Sequence, residues 1–373
     1  MNASIAPLWQ YLSMQKAPTL AIALDSSLGW RSVGHAWRAL YPQDVPLAPS
    51  WIETDRVAPA FRVKYAGRKM RQILGRLNMS YQVNRQIRDV SPAVALVGNM
   101  VLNLMIGRHR FPIFTILDAT QIQLQAFGAA YGIYPSKYKE LEKIKHRMRC
   151  RAYRECAGIF SFSDWAKKSL IADYGVESQR VHVIQHGAVV ERWRREARSE
   201  VGNKICNILF VGGDFKRKGG GLLLDWAART KERHWHMHIV TKDRVSTTDS
   251  RITVHNGIVH EDGRLTELFA AADVFALPTF VDISPLAIAE ALASGLPVVT
   301  STVGAVPEMI IQGVTGFALP LDQTERLFES LDLLINDPAA RLRMGAAARK
   351  DAELRFDARR NIRAMVEVIA STI

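Results

Sequence analysis

No apolar run in this 373-residue sequence approaches the roughly 20 residues that a membrane-spanning helix requires. The N-terminal stretch MNASIAPLWQYLSMQKAPTLAIALD lacks a charged segment ahead of its apolar part, so a secretory signal is not expected. Cysteine is scarce: Cys150, Cys156 and Cys206 form neither an even disulfide framework nor a metal-binding spacing. Short-period repeats, low-complexity stretches and the phosphate loop G-x-x-x-x-G-K-[ST] are also absent. These absences exclude a membrane-spanning, disulfide-stapled or repeat protein, and they fit a reducing cytoplasm.

What is present is ordinary in amount and uneven in placement. With 48% hydrophobic and 23% charged residues the chain can bury a true core, and its length favours two domains. The net charge of +13 belongs to the first half alone. Residues 1–200 hold 29 Lys and Arg against 15 Asp and Glu, whereas residues 201–373 hold 20 against 21. Within that basic half, Ala66, Met70, Ile73, Leu74 and Leu77 recur at helical spacing among Arg62, Lys64, Arg68, Lys69, Arg71 and Arg76. Such a segment either lies on an anionic membrane surface or buries its apolar stripe and leaves the basic face in water. Nucleic acid is not expected as a partner, because no recognised binding motif accompanies the charge.

The second half alternates strand and helix patterns: NILFVGG, GLLLDWAART, WHMHIV, RITVHNGIV, RLTELFAAA, DVFALP, SPLAIAEALAS, PVVTS and VPEMIIQG. The first half repeats the alternation more loosely, with strand candidates at 19–25, 93–99, 114–119, 158–163 and 180–187. SDWAKKSLIADYG reads as a helix with a serine cap and a glycine stop. This pattern implies an α/β chain of two Rossmann-like domains, joined by the charged stretch 189–204, with two outer helices in the tail. Ligands of such domains bind beyond the carboxyl ends of strands.

The chemistry concentrates in FVDISPLAIAEALASGLPVVTS, residues 280–301. Ser284 followed by Pro285 predicts a helix start, and Gly295 predicts its end. The free N–H groups of a helix start attract an anion such as a diphosphate. Glu290, about 7–8 Å further along at ~1.5 Å per residue, is placed to accept hydrogen bonds from a vicinal diol such as a ribose. Asp282, on the other side of the cap, is within reach of a sugar attached to that diphosphate. The plainer alternative makes Asp282 a loop carboxylate and Glu290 a solvated helix residue. A second stretch, FVGGDFKRKGGG, sets Lys216, Arg217 and Lys218 just before a helix, where cations oppose the dipole unless a phosphate is bound. It is otherwise a solvated basic turn. Gly29 and Gly34 follow the first strand, as a glycine loop approaching a phosphate or as a simple turn.

FVGGDFKRKGG, the segment from ADVFALP through GFALP, and the tail DPAARLRMGAAARKDAELRF resemble the family 4 retaining glycosyltransferases of GT-B fold, glycosyl transferases group 1. A weaker match runs upstream through CAGIFSFSDWAKKSLIADYGVESQRVHVIQHG. The resemblance implies two Rossmann-like domains facing across a cleft. Residues 1–190 would form an acceptor-side domain, 191–204 a linker, 205–350 a nucleotide-sugar-binding domain, and 351–373 a terminal helix packing back on the first domain.

The resemblance also implies candidate catalytic residues in Asp282, Glu290 and Asp118. Glu290 is expected at the donor ribose and Asp282 near the donor sugar. Gly213, Arg217 and Lys218 are expected on the diphosphate, with the backbone around Ile283 and Ser284 cradling the sugar phosphate. Three positions depart from the family pattern. Asp282 stands where Glu is usual, Gly213 where many members have Arg, and Asp118 follows FTIL where a His is usual. Asp118 either contacts donor sugar or acceptor, or caps a turn.

The implied function is transfer of a sugar, with retention, from a nucleoside diphosphate-sugar to a saccharide or lipid-linked acceptor in polysaccharide or glycolipid synthesis. No metal and no cofactor are implied. The expected location is cytoplasmic, with the basic segment suggesting a peripheral position at the inner face of the cell membrane. The alternatives are a scaffold or binding protein with an altered N-terminal domain, and a sugar-nucleotide epimerase.

Overall fold

The computed structural model describes residues 17–24, 30–54, 81–98, 109–131, 138–194 and 205–373. The basic helical segment expected at 62–77 lies outside the described residues, as does Gly29.

Twelve described strands form two six-stranded sheets. The first has β1 (Thr19–Ala23), β2 (Ala48–Trp51), β3 (Val94–Gly98), β4 (Ile113–Leu117), β5 (Gly158–Ser161) and β6 (Val181–Val183), in the order β2-β1-β3-β4-β5-β6. The second has β7 (Cys206–Val211), β8 (Trp235–Val240), β9 (Ile252–His255), β10 (Val274–Leu277), β11 (Val298–Ser301) and β12 (Gly316–Leu319), in the order β12-β11-β10-β7-β8-β9. Both sheets are parallel, as the α/β reading requires. VALVG of β3 and VFAL of β10 are buried along their whole length, the signature of strands covered on both faces.

The chain falls into two compact units. Of the described residues, one unit comprises those within 1–116, 151–159 and 363–373, and the other those within 117–150 and 160–362. In the first unit, α1 (Trp30–Leu40) follows β1 and buries Trp37 and Leu40. The terminal residues belong to this unit too, where Arg363 pairs with Asp44 at 2.6 Å.

In the second unit, α2 (Gln121–Phe127) and α3 (Lys139–Glu155, all but its last turn) precede α4 (Asp164–Tyr174). Ser163 caps α4 by accepting from the Ala166 N–H, and Gly175 ends it in the left-handed region, as its sequence predicts. The second sheet carries α5 (Gly220–Arg229), α6 (Gly263–Ala271), α7 (Leu286–Ala293) and α8 (Val306–Met309). Beyond it come α9 (Thr324–Asn336), α10 (Pro338–Arg355) and α11 (Ala358–Ala370). The core of this sheet includes the fully buried Phe210, Trp226, Trp235, Phe269 and Phe275. The tail helices are not mere outer decoration: Ala348 and Ala352 of α10, and Phe356 after it, belong to that core.

Two local expectations are corrected. β2 was not expected, because APSW is only four residues long and contains Pro49, which is tolerated at a sheet edge. Gly34 belongs to no glycine loop; it lies inside α1 with an ordinary helical backbone.

Candidate active site

In the second sheet the strand order reverses between β10 and β7, its topological switch point. Open α/β sheets bind ligands outside the carboxyl ends of strands at such a point. The loop leaving β7 carries Gly213, Arg217 and Lys218, and the loop leaving β10 carries Asp282, Ile283 and Ser284 before α7. The two sequence stretches singled out for their chemistry therefore emerge side by side.

The two loops are bound to one another. The Phe280 N–H donates to the Arg217 carbonyl at 2.9 Å, and the Arg217 guanidinium donates to the Val281 carbonyl at 2.7 Å. Gly219 has a φ of +81°, and a Cβ there would lie 1.9 Å from the Pro278 carbonyl oxygen. Only glycine permits that approach. Lys218, itself half-buried, extends across the junction and donates to the buried Asp282 as an ion pair. Arg217 also binds Asp214 on its own turn, so Arg217 and Lys218 are held within the loop, while Lys216 is exposed.

Both carboxylates of residues 280–301 are buried: Asp282 is 6% exposed and Glu290 is 3% exposed. This excludes the solvated-helix reading of Glu290. Its Oε1 accepts from His260 Nε2 at 2.6 Å. His260 follows β9, and its ring meets the edge of Trp193. The hydrogen bond to Glu290 raises the His260 pKa above its ordinary value, against the opposing effect of burial. Asp282 Oδ1 accepts from the Ile283 N–H at 3.1 Å, which commits that backbone donor within the loop itself.

Ser284 acts differently from the cap its sequence suggests. α7 starts at Leu286 with Pro285 in the capping position, and no side chain caps it. The Ser284 hydroxyl lies 3.3 Å from His186 Nε2, which also donates to the Ser284 carbonyl at 3.2 Å. His186 is half-buried, and burial lowers its pKa below the ordinary value. Glu308, at α8, accepts from the Asp164 and Trp165 N–H groups at 2.8 and 2.6 Å, adding a carboxylate to the start of α4.

Gly213 is exposed, and a Cβ on it would lie 3.7 Å from Cδ and Cε of Lys242, a residue of the loop after β8. A lysine from the neighbouring strand thus stands beside the position where an Arg is usual in the family that the sequence resembles. Asp118 lies just beyond β4 and is half-buried, while the cap of α2 is Thr120, in a reciprocal box with Gln123. Sequence reasoning missed His186, His260 and Lys242. Their one common signal is a polar residue just past the end of a strand. Among the described residues, no three His, Cys, Asp or Glu side chains are grouped so as to hold a metal ion, and no helix is long and apolar enough to cross a membrane.

Residues 206–337 match the family model described as Glycosyl transferases group 1. Among curated proteins, the chain is 30% identical over 219 residues to the MMP alpha-(1->4)-mannosyltransferase of Mycolicibacterium hassiacum, covering 55% of this chain and 52% of that one. It is 26% identical over 208 residues to the D-inositol 3-phosphate glycosyltransferase of Corynebacterium aurimucosum, covering 48% and 49%. The matched part spans about half the length of these relatives. Among solved structures, the sucrose-phosphate synthase of Thermosynechococcus elongatus superposes with a TM-score of 0.72 at 15% identity, over 95% of this chain and 98% of that one. Anabaena HepE in complex with UDP does so with a TM-score of 0.69 at 15% identity, over 95% and 100%. The chain therefore has the GT-B fold of solved glycosyltransferases, and residues 206–337 carry the glycosyl transferases group 1 pattern.

Proposed function

We propose that the protein is a glycosyltransferase that moves a sugar from a nucleoside diphosphate-sugar to a saccharide or lipid-linked acceptor, with retention, in polysaccharide or glycolipid synthesis. The observation that carries this reading is the meeting of the buried carboxylate of Asp282 with a lysine-bearing loop at the β7–β10 switch point, with a second buried carboxylate, Glu290, on the helix that follows. HepE, which shares the fold, has been solved with UDP and with UDP-glucose, and the donor here is taken to be of that class.

In this reading Glu290 accepts from the ribose hydroxyls while His260 holds its other side. Asp282 accepts from a hydroxyl of the transferred sugar. Lys218, which has three ammonium protons, shares them between Asp282 and the diphosphate. Lys242 adds a second cation beside Gly213. Charge that develops on the departing diphosphate is met by these preorganised cations. The bond from the anomeric carbon to the diphosphate oxygen breaks, and a bond from the acceptor oxygen forms on the same face. The acceptor's proton passes to the departing phosphate oxygen, so no protein base is required and no metal is invoked. A cytoplasmic location, peripheral to an anionic membrane, belongs to the same proposal.

The test is incubation with nucleoside diphosphate-sugars and a panel of acceptors, reading nucleotide release and the anomeric configuration of the product. Release coupled to a product of unchanged configuration supports the proposal. An inverted product overturns retention, and binding without release points to a scaffold. Isomerised donor in the absence of acceptor points to an epimerase.

A further inference from the structure

The first unit contains a cavity of about 310 Å³ beside the carboxyl ends of β1 and β2, built without any of the donor-site candidates. Its walls include Arg31, Gly34, His35 and Arg38 of α1, together with Trp51 and Glu53. The four helical positions fall at spacings of three and four residues, so they share one face of α1. The volume lies at the lower end of the range for small-molecule sites, enough for a monosaccharide-sized ligand.

One wall is fixed. The Arg38 guanidinium lies 4.7 Å from the centre of the Trp51 ring and donates to Glu53 at 3.3 Å. Glu53 is pinned in turn by a reciprocal pair of 3.2 Å bonds between its backbone and the Gln86 amide. Arg31 and His35, in contrast, have no hydrogen-bond or ionic partner among the described residues. The Arg38–Glu53 pair cancels its own charge, leaving the cavity the uncommitted guanidinium of Arg31 and its five donors.

Gly34 is the second, independent observation. A glycine inside a helix is destabilising relative to alanine. Here neither backbone nor packing requires it, because its φ is not positive and nothing lies within 4 Å of an ideal Cβ. What the missing side chain does provide is open helix backbone on the cavity wall, between Arg31 and Arg38.

We propose that this cavity binds a monosaccharide-sized ligand carrying a phosphate or carboxylate, with its anionic group on Arg31 and His35 and its body over Gly34. The role of that ligand as the acceptor rests on the transferase reading; its binding does not. The full chain, without nucleotide, is titrated calorimetrically at fixed ionic strength with a glucose phosphate, glucuronate and glucose. At least one charged sugar binds and glucose does not. Arg31→Ala weakens that binding roughly tenfold or more, the loss expected for a charge-assisted hydrogen bond. Gly34→Leu abolishes it while the melting temperature stays equal or rises. Equal binding of charged and neutral sugars, no binding of either charged sugar, or unchanged binding by both variants overturns the site. A charged sugar that binds but is not glycosylated when donor is added overturns the acceptor role alone, whereas absence of nucleotide binding overturns the transferase reading and leaves the cavity standing.

Discussion

His260 donates through Nε2 to the buried carboxylate of Glu290 at 2.6 Å, joining the loop after β9 to the middle of α7. The groups facing His260 are Glu290, Glu261 at 4.0 Å, and Arg192. The bond to Glu290 raises the pKa of His260 in the folded protein. Its stabilising contribution is therefore fully present below the unfolded value of about 6.5 and is lost as pH rises through the higher folded value. The melting-temperature gap between wild type and His260→Gln is expected to be widest near pH 6 and to narrow toward alkaline pH. A gap that widens with pH would contradict the pairing.

Lys218 and Asp282 form a second pair, half-buried at the lysine and buried at the carboxylate, so removing one partner strands the other. Lys218→Ala and Asp282→Ala are each expected to cost about 3 kcal/mol of stability, in line with other broken buried pairs. Lys218→Met combined with Asp282→Leu should recover much of that loss while still failing to bind nucleotide. Denaturant titration of the three variants measures the coupling directly.

Lys242 is exposed, and its aliphatic stem would lie 3.7 Å from a Cβ placed on Gly213. Its replacement by Met should leave the melting temperature unchanged and weaken nucleoside diphosphate affinity by roughly tenfold, as loss of one charge-assisted contact does. Unchanged affinity would remove Lys242 from the diphosphate site.

On β8 and β9, His238 Nδ1 and His255 Nε2 lie 3.1 Å apart, with the His236 ring centre 4.8 Å from that of His238. Burial first, then the neighbouring histidines, lowers the His238 pKa to about 4. Folding thus keeps His238 neutral, a contribution complete above about pH 6.5 and lost as pH falls toward 4. His238→Gln is expected to flatten the acid limb of the stability profile, measured as melting temperature from pH 4 to 7.

β10 and β11 were legible because they are buried along their whole length, and β10 reads as an unbroken apolar run. β2 was not, since an edge strand containing Pro49 has no such run. Asp282 and Glu290 stood out because a Ser–Pro helix start lies between them. Their partners did not: Lys218 is 64 residues from Asp282 and His260 is 30 from Glu290. Lys218 meets Asp282 because β7 lies beside β10, a strand order that no local pattern encodes. Ser284 shows the same limit. Its sequence suits a helix cap, yet a histidine 98 residues away engages its hydroxyl.

The central claim is that Glu290 and its neighbours hold a nucleoside diphosphate-sugar. Calorimetric titration of wild type and Glu290→Gln with UDP-, GDP- and ADP-sugars tests it most directly. The account predicts that wild type binds at least one of them and that Glu290→Gln, while still folded, loses most of that affinity. Equal affinity in the two proteins, or no binding of any nucleotide sugar by wild type, would contradict it.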